Sequence, residues 1–358
     1  MRLHKVIILL LSVTVIGSCK NTSKDDSFFM PEFESRKFVE TQILVPSLPC
    51  NLTYGIWESG ELLCAVYYDP ETETLVHLFD KETGKNRGNY VHRGRGPLEM
   101  PPSVPIVSEW DGILYMVDIS GGKTLSFDIC RLESEGVTAI GVHDRSFKGY
   151  TSNASILPGG ETLVLNNKGF LNTESGGYHR IEFFDAEEKL VSVADAVPYA
   201  DPETLFYLYQ QSVIGISPDC KHLVLGSVWG GLLEVYSLPD LKSHGFLRMV
   251  DPAVSINGGI ELTAGTTSGL RDIVAKDNVF YAVIGADVCL LGNWDKPDTE
   301  RALTNNDIYC FNWQGKPVKQ FETNYNIEKF CVTELSDVLY SIVSDVNGSL
   351  SIGVAELK

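Results

Sequence analysis

The stretch WDGILYMVD (residues 110–118) places a tight turn directly before an apolar strand, and this pairing recurs along the 358-residue chain. Asp and Gly form turns, whereas β-branched and aromatic residues favour strands, so each copy predicts a β-hairpin. The repeat spacing of about 50 to 60 residues indicates one structural unit per copy. The six copies are ESG before LLCAVYY (58–68), WDG before ILYMVD (110–118), PGG before ETLVLN (158–166), PDC before KHLVLG (218–226), KDN before VFYAVIG (276–285) and LSD before VLYSIV (335–343).

A second element follows within the units: an aromatic strand, a polar turn and often a lysine. Four strands per unit and six units predict an all-β fold, a six-bladed β-propeller, in which radial repetition covers both faces of each small sheet. A chance series of hairpins in a β-sandwich is the alternative. The copies of the second element are HLFDKETGK (77–85), IEFFDAEEK (181–189), LEVYSLPDLK (233–242), IYCFNWQGK (308–316) and the weaker LSFDICRLE (125–133).

The sixth unit contains only three predicted strands, at 328–333, 338–344 and 350–357. A fourth is available before the first unit, where FVETQILV (38–45) alternates apolar and polar residues. Pairing this N-terminal strand with the last blade would leave no open sheet edge in the ring. We therefore expect the propeller to occupy residues 37–358 and to be closed by its N-terminal strand.

Residues 1–18 have the features of a secretory signal peptide: basic residues Arg2 and Lys5, an apolar run over 6–16, and small residues after it. The run is too short to span a bilayer, which takes about 20 apolar residues. Its end, IGSC (16–19), resembles a bacterial lipobox, in which the cysteine is acylated. Acyl chains anchor a protein by burying CH2 groups at about 0.8 kcal/mol each, so we expect Cys19 to hold the chain on a membrane. An ordinary signal peptide with a chance cysteine is the alternative.

Residues 19–36 are polar, without a sustained period, and predict a tether between anchor and propeller. The expected location is the bacterial cell envelope, as an outer-membrane lipoprotein. SKDD (23–26) is similar to signals that send some lipoproteins to the cell exterior, but it lies several residues beyond Cys19. Both a periplasmic and a surface-facing position therefore stay open.

The formal net charge of −18 argues against a nucleic-acid partner, because phosphate backbones are bound by clustered Lys and Arg. Seven cysteines remain besides Cys19, none in a C-x-x-C motif. Most lie in apolar runs, so free buried thiols are favoured over a disulfide framework or a zinc site, although one disulfide stays possible. We expect no metal and no cofactor.

An acylated start, six units of this length and the stretch GRGPLE (94–99) together resemble the TolB-like six-bladed propeller lipoproteins of Bacteroidetes. The resemblance covers nearly the whole chain and implies the fold and an envelope location. The family shares no catalytic residue, so the resemblance implies no particular activity.

The stretch HRGRGPLE (92–99) suggests a phosphate-binding loop at first sight. A dinucleotide loop needs a third glycine and a following helix, but Glu99 stands at that position and no helix pattern follows. We interpret the stretch as a joint between two blades, whose glycines allow positive φ angles. Arg93 and Arg95 keep an anion site as the alternative.

Long connections are predicted on one face only, at 141–153, 166–177, 201–211, 251–271 and 286–307. Binding residues usually lie on such loops, and Trp, Tyr and Arg are enriched at binding hot spots. The predicted function is a non-enzymatic, membrane-anchored propeller that binds a protein or glycan partner. A hydrolase or lyase at the mouth of the central channel and a purely structural envelope subunit are alternatives, and the aromatic residues could instead pack the loops down. The candidate binding residues are Arg93, Arg95, Tyr150, Tyr207, Tyr209, Trp229, Arg271 and Trp294.

Overall fold

The computed structural model describes the propeller and the residues just before it. The described residues are 32–50, 52–101, 105–144, 147, 151–166, 179–195, 212–228, 231–248, 269–284, 307–333 and 336–358. Within them the helices are too short to cross a bilayer.

Six sheets, here called blades 1 to 6, contain the 25 strands of the described residues. The strands of a blade are called A to D from the axis outward. Blade 1 is β3 (Thr53–Ser59), β4 (Leu62–Asp69), β5 (Thr74–Asp80) and β6 (Asn86–His92); blade 2 is β7 (Ile106–Trp110), β8 (Ile113–Asp118), β9 (Lys123–Asp128) and β10 (Gly141–Asp144); blade 3 is β11 (Thr151–Ile156), β12 (Thr162–Asn166), β13 (Ile181–Phe184) and β14 (Leu190–Ala194).

The remaining blades follow the same order. Blade 4 is β15 (Ser212–Ile216), β16 (His222–Ser227), β17 (Leu232–Ser237) and β18 (Ser243–Arg248); blade 5 is β19 (Leu270–Ala275), β20 (Val279–Ile284), β21 (Asp307–Asn312) and β22 (Pro317–Thr323), with β1 (Arg36–Val39) outside β22; blade 6 is β23 (Asn326–Val332), β24 (Val338–Ser344) and β25 (Leu350–Glu356), with β2 (Gln42–Val45) outside β25. The prediction of a six-bladed β-propeller is confirmed.

All six hairpins predicted from the repeat lie between strands A and B. Gly60 and Gly112 have positive φ angles of 60° and 79° in the first two turns. Cys220 and Asp337 adopt the same left-handed conformation, with φ of 55° and 52°. The backbone conformation is therefore kept in turns that lack glycine, although a side chain makes it less favourable.

The N-terminal segment expected to form one closing strand forms two. β1 pairs in parallel with β22 of blade 5, and β2 pairs antiparallel with β25 of blade 6. The division falls at Thr41, whose N–H donates to Asn324 Oδ1 at 2.7 Å and whose carbonyl accepts from Asn324 Nδ2 at 3.2 Å. Asn324 lies in the connection from blade 5 to blade 6, so its amide holds the N-terminal chain where it crosses between the same two blades.

The last residues of the predicted tether, 19–36, contact the propeller. Phe33 packs on blade 5 with its ring centre 5.4 Å from those of Tyr309 and Phe311. The Ser35 carbonyl accepts a hydrogen bond from Gln320 N at 2.9 Å, and Arg36 begins β1. The Phe33 side chain and the Ser35 carbonyl thus have partners on blade 5, which the polar composition of residues 19–36 did not indicate. Residues 1–31 lie outside the described residues.

The connection from strand C to strand D of blade 2 departs from the prediction that long connections occur on one face only. This connection holds α1 (Ile129–Glu135), which is capped by Asp128 accepting from Cys130 N and Arg131 N. Ile129 and Leu132 are fully buried, so this helix adds apolar packing between blades 1 and 2. Residues 141–144, predicted in a long loop, then form strand D, because their backbone pairs with β9.

Apolar side chains fill the spaces between neighbouring blades. Separate clusters lie between blades 1 and 2, 3 and 4, 4 and 5, 5 and 6, and 6 and 1. Among the described residues, apolar clusters thus fill five of the six contacts between neighbouring blades. The six described cysteines are free, with Cys64, Cys310 and Cys331 buried and Cys130 exposed; Cys289 lies outside the described residues.

Deleting residues 37–46 should lower the free energy of unfolding by several kcal/mol, on the order of a lost strand, because it uncovers β22 and β25. Deleting residues 20–30 should change stability little. Urea denaturation of the two truncated proteins and the parent measures the effect. Equal unfolding midpoints for the two truncations would contradict this account of ring closure.

Candidate functional site

A cavity of about 1560 Å³ follows the axis of the ring and is lined by strand A of every blade. It extends from the A-to-B turns at one end to the B-to-C turn of blade 6, residues 345–349, at the other. We call the second end the mouth face; the B-to-C and D-to-A connections lie there. The mouth face is the face on which the long connections were predicted.

Four charged side chains meet in this channel between blades 5 and 6. Lys329 Nζ lies 3.1 Å from Asp272 Oδ1, and Asp272 Oδ2 accepts from Phe330 N at 3.0 Å. Beside them, Arg271 Nε lies 3.8 Å from Glu328 Oε2. Positive and negative groups therefore alternate across the contact between the two blades.

Irregular backbone accounts for the position of these charges. The pairing of β19 shifts register between Leu270 and Asp272, and that of β23 shifts between Ile327 and Lys329. A bulge of this kind turns successive side chains away from strict alternation and is common next to binding and catalytic sites. Neighbouring residues in each strand can thereby reach the same cluster.

Burial raises the pKa of Asp272, while Lys329 and the Phe330 N–H oppose that shift. The desolvation of the carboxylate therefore outweighs the attraction of its partners. Glu328 has a hydrogen-bond partner besides Arg271, since its Oε1 accepts from Ser344 Oγ at 2.9 Å. Both carboxylates of this cluster are thus held by groups of the chain itself.

A second cavity, of about 700 Å³, lies beside the channel at the junction of blades 1 and 6. We call it the side cavity. Arg93 lines it, with its guanidinium carbon 4.7 Å from the centre of the Tyr68 ring. The channel and the side cavity meet on the mouth face, where they share Leu52, Tyr54, Asn347, Gly348 and Leu350.

The shared turn at residues 345–349 is fixed by its own hydrogen bonds. Asp345 Oδ1 accepts from Asn347 N at 2.9 Å and from Ser349 N at 2.8 Å. Its carboxylate is therefore used to close the turn. No group of three His, Cys, Asp or Glu side chains suited to a metal ion occurs among the described residues.

Three of the predicted binding residues fall within the described residues, and they do not line a common cavity. Arg271, expected in a loop, lies in β19 and lines the channel, because its backbone belongs to the inner strand. Arg93 lines the side cavity, and Arg95 is exposed on the β6–β7 connection. The other five, all aromatic, lie outside the described residues: Tyr150, Tyr207, Tyr209, Trp229 and Trp294.

The interpretation of HRGRGPLE as a joint is confirmed, but the reason given for its glycines is wrong. Gly94 and Gly96 are not among the glycines with positive φ. They leave room for Glu99, whose Oε2 accepts from Gly96 N at 2.7 Å and would lie 2.0 Å from a Cβ on Gly94. The carboxylate of Glu99 thus occupies the position that a bound anion would need in this loop. Lys123 Nζ donates to the carbonyls of Gly96 and Glu99 at 2.5 Å each and fixes the loop to β9.

Asp272, Glu328 and Lys329 in the channel, and Tyr54 and Tyr68 in the side cavity, were not among the residues predicted from sequence. A signal was present for the charged residues: LRDIVA (270–275) and IEKFCV (327–332) carry charges inside otherwise apolar strands. Such charges are rarely buried without a partner. For the tyrosines no such signal exists, since tyrosine is common in any strand.

Six radially arranged sheets around an axial cavity define a six-bladed β-propeller. The TolB-like 6-blade propeller-like family matches residues 52–335, and the chain belongs to this family. Among solved structures it is similar to a Bacteroides fragilis protein described as a candidate exported protein, with 11% identity, a TM-score of 0.55 and coverage of 93% of this chain and 99% of that one.

Two further structures share the architecture. A gluconolactonase from Xanthomonas campestris has 10% identity and a TM-score of 0.49, covering 89% of this chain and 90% of that one. The calcium-binding protein regucalcin from Agrobacterium tumefaciens has 11% identity and a TM-score of 0.48, covering 89% and 95%. At these identities the likeness concerns the fold alone. No match to this chain was found among curated protein sequences.

The raised pKa of Asp272 predicts a specific pH dependence. Because the folded protein binds this proton more tightly than the unfolded chain, ionisation of Asp272 lowers the free energy of unfolding as the pH rises from the unfolded pKa through the folded one. Relative to the parent, Asp272→Asn should therefore gain stability as the pH rises from about 4, the ordinary pKa of an aspartate, until the folded carboxyl has ionised. Urea denaturation of both proteins across this range measures the difference. A stability difference that stays constant with pH would reflect lost contacts alone and would contradict the prediction.

Proposed function

We propose that the chain is a lipid-anchored, non-enzymatic binding protein of the cell envelope, and that its mouth face takes a protein or glycan partner. The observation that carries the proposal is the meeting of the channel and the side cavity on this face. Binding sites are concave and usually combine apolar walls with a few polar groups. Both features occur where the two cavities join.

Exposed apolar residues at this junction support a partner. Leu52 and Val346 are 50% and 43% exposed, although both lie at the channel opening. Arg271 and Glu328 add charge of both signs a short distance inside the channel. An apolar rim next to paired charges suits a partner that covers the opening.

The enzymatic alternative, a hydrolase or lyase, would use the channel carboxylates. Asp272 favours it, since a carboxyl with a raised pKa in a cavity is typical of an acid catalyst. Against it, Asp272 and Glu328 are already bound by Lys329 and Ser344, and no histidine lines the described part of the channel. Binding accounts for these groups without a catalytic step.

The anchor proposed at Cys19 is consistent with a partner at the mouth face. β1 runs parallel to β22, and β22 begins at the C-to-D turn opposite the mouth face. The chain before Arg36 therefore enters blade 5 from the side opposite the mouth face. Under this proposal the membrane lies on that side, and the mouth face is accessible to a partner, in either the periplasmic or the surface-facing position.

The Cys19→Ala protein should leave the membrane fraction, because acyl chains on this residue supply the proposed attachment. Fractionation of cells after a carbonate wash measures it, with Cys130→Ala, an exposed cysteine on the propeller, as the control. Membrane retention of the Cys19→Ala protein equal to that of the control would contradict the lipid anchor.

Placing a charge on the mouth face should abolish partner binding. Val346→Glu is the test, and Val137→Glu is the matched control, because Val137 is 47% exposed on the connection of blade 2 that lies on the opposite face. Envelope glycans and solubilised envelope proteins are screened for a rise in melting temperature of the parent, since a ligand of the folded state stabilises it.

We expect a binding partner whose effect is kept by Val137→Glu and lost in Val346→Glu. Loss of binding in Val137→Glu alone would place the site on the face opposite the mouth face and would contradict the proposal. The absence of any stabilising fraction, together with turnover of a glycan or ester substrate that Asp272→Asn abolishes, would favour the enzymatic alternative.

A further inference from the structure

We propose that the side cavity binds the carboxylate of a ligand with an apolar body, through the guanidinium of Arg93 and the hydroxyl of Tyr54. The inference rests on the proposed function, because it assigns a ligand class to one part of the mouth face. It differs from the anion site considered for HRGRGPLE. That site would lie in the loop itself, where Glu99 is bound, whereas the side chain of Arg93 lies over Tyr68.

The position of Arg93 is fixed at both its backbone and its side chain. Arg93 N donates to the Glu73 carbonyl at 2.9 Å, and a β-bridge joins Arg93 to the fully buried Met100. Its guanidinium lies over the Tyr68 ring. Stacking on an aromatic ring orients a planar guanidinium, and its N–H groups can bind a carboxylate in bidentate fashion.

Tyr54 supplies a neutral hydroxyl to the same cavity. Burial raises the pKa of this phenol, and the positive charge of Arg93, which lines the same cavity, partly offsets the shift. Burial also raises the pKa of Cys50 to about 12. Both groups are therefore protonated near neutral pH, and neither adds a negative charge that would repel an anion.

Several of the remaining wall residues are apolar. Leu48, Leu75 and Leu350 are buried, and the prolines Pro49 and Pro101 have no backbone N–H to offer a ligand. A glycan needs many hydrogen-bonding partners, so these walls favour an apolar ligand body. The volume of about 700 Å³ lies within the usual range for small-molecule sites.

The charges of the cavity favour a single carboxylate over a phosphate. Arg93 and Glu71 are the charged residues among its described lining. The neighbouring Asp69 is buried and accepts from Glu71 N and Thr72 Oγ1, both at 2.8 Å, so its carboxylate is used within its own turn. Arg93 supplies the positive charge of this described lining and Glu71 offsets it, so a ligand with a single carboxylate meets less repulsion here than a phosphate dianion would.

Two sources could supply this chemistry: the C-terminus of a peptide with an apolar last residue, or a free small acid. Four probes separate them, measured by titration calorimetry on the full propeller. They are acetyl-Ala-Ala-Leu with a free carboxylate, its C-terminal amide, N-acetylleucine and 4-methylpentanoate. Tighter binding of the peptide acid identifies a peptide terminus, and equal binding of the three acids identifies the free acid.

We expect the peptide acid to bind at least about tenfold more tightly than its amide, as one charge-assisted hydrogen-bonded pair provides. Arg93→Gln should remove this preference, and Tyr54→Phe should weaken acid binding by a smaller factor. Glu71→Gln should strengthen it, because a like charge is removed. Arg95→Gln is the matched control, since Arg95 is an exposed arginine of the same connection and is not among the residues that line either cavity.

Equal affinity for acid and amide, loss of binding in Arg95→Gln equal to that in Arg93→Gln, or no binding of any acid at about 10 mM would overturn the inference. If Arg93→Gln lowers the melting temperature, Arg93→Lys, which keeps the positive charge, replaces it in the titrations. If an envelope partner is lost in Val346→Glu but kept in Arg93→Gln, the mouth-face proposal stands and the carboxylate site is wrong.

Discussion

Each sheet of this protein has two apolar faces and can bury them only against its neighbours. The clusters between adjacent blades meet this need, but only while the ring is closed. Blade 6 takes three of its strands from the C-terminal part of the chain and the fourth, β2, from the N-terminal part. The hydrogen bonds between β2 and β25 therefore join distant parts of the chain, and the contact between blades 6 and 1 depends on them. The Asn324 amide, which binds both backbone groups of Thr41, fixes the point from which β2 starts.

Ring closure also determines where the polar groups of the interior lie. The inner strands have an unpaired edge towards the axis, so the channel is the part of the core that can accept charge. Elsewhere a buried charge needs partners within the protein. The guanidinium of Arg180 binds Glu234, and Tyr236 donates to the same carboxylate at 2.6 Å. Near the axis the pair of Asp272 and Lys329 joins blades 5 and 6 and still lines a cavity. The same cross-blade contact thus contributes to both the fold and the candidate site.

The repeat made the architecture predictable from sequence, because one hairpin pattern occurs six times and each copy has the same place in its blade. What the sequence could not supply is how separate segments pack together. The pattern of FVETQILV predicts a strand but gives no reason for it to divide at Thr41, since the cause is an amide some 280 residues away. Glycines at 94 and 96 suggested positive φ, whereas their role depends on the Glu99 side chain folding back over them. The channel charges were visible as isolated polar residues in apolar strands, but their pairing needed the neighbouring blade.

The two faces of the propeller differ in a way that bears on binding. On the face opposite the mouth, the A-to-B turns are short and are fixed by local bonds such as those from Lys81 Nζ to Glu58 at 3.0 Å and to the Gly60 carbonyl at 2.5 Å. On the mouth face, the junction of blades 6 and 1 leaves two cavities side by side. This junction is the one place where the N-terminal strand, the first blade and the last blade meet, and irregular connections there replace a regular turn. A site at the closing junction therefore uses space that the closure of the ring itself creates. Its walls belong to the first and last blades, which ring closure holds together.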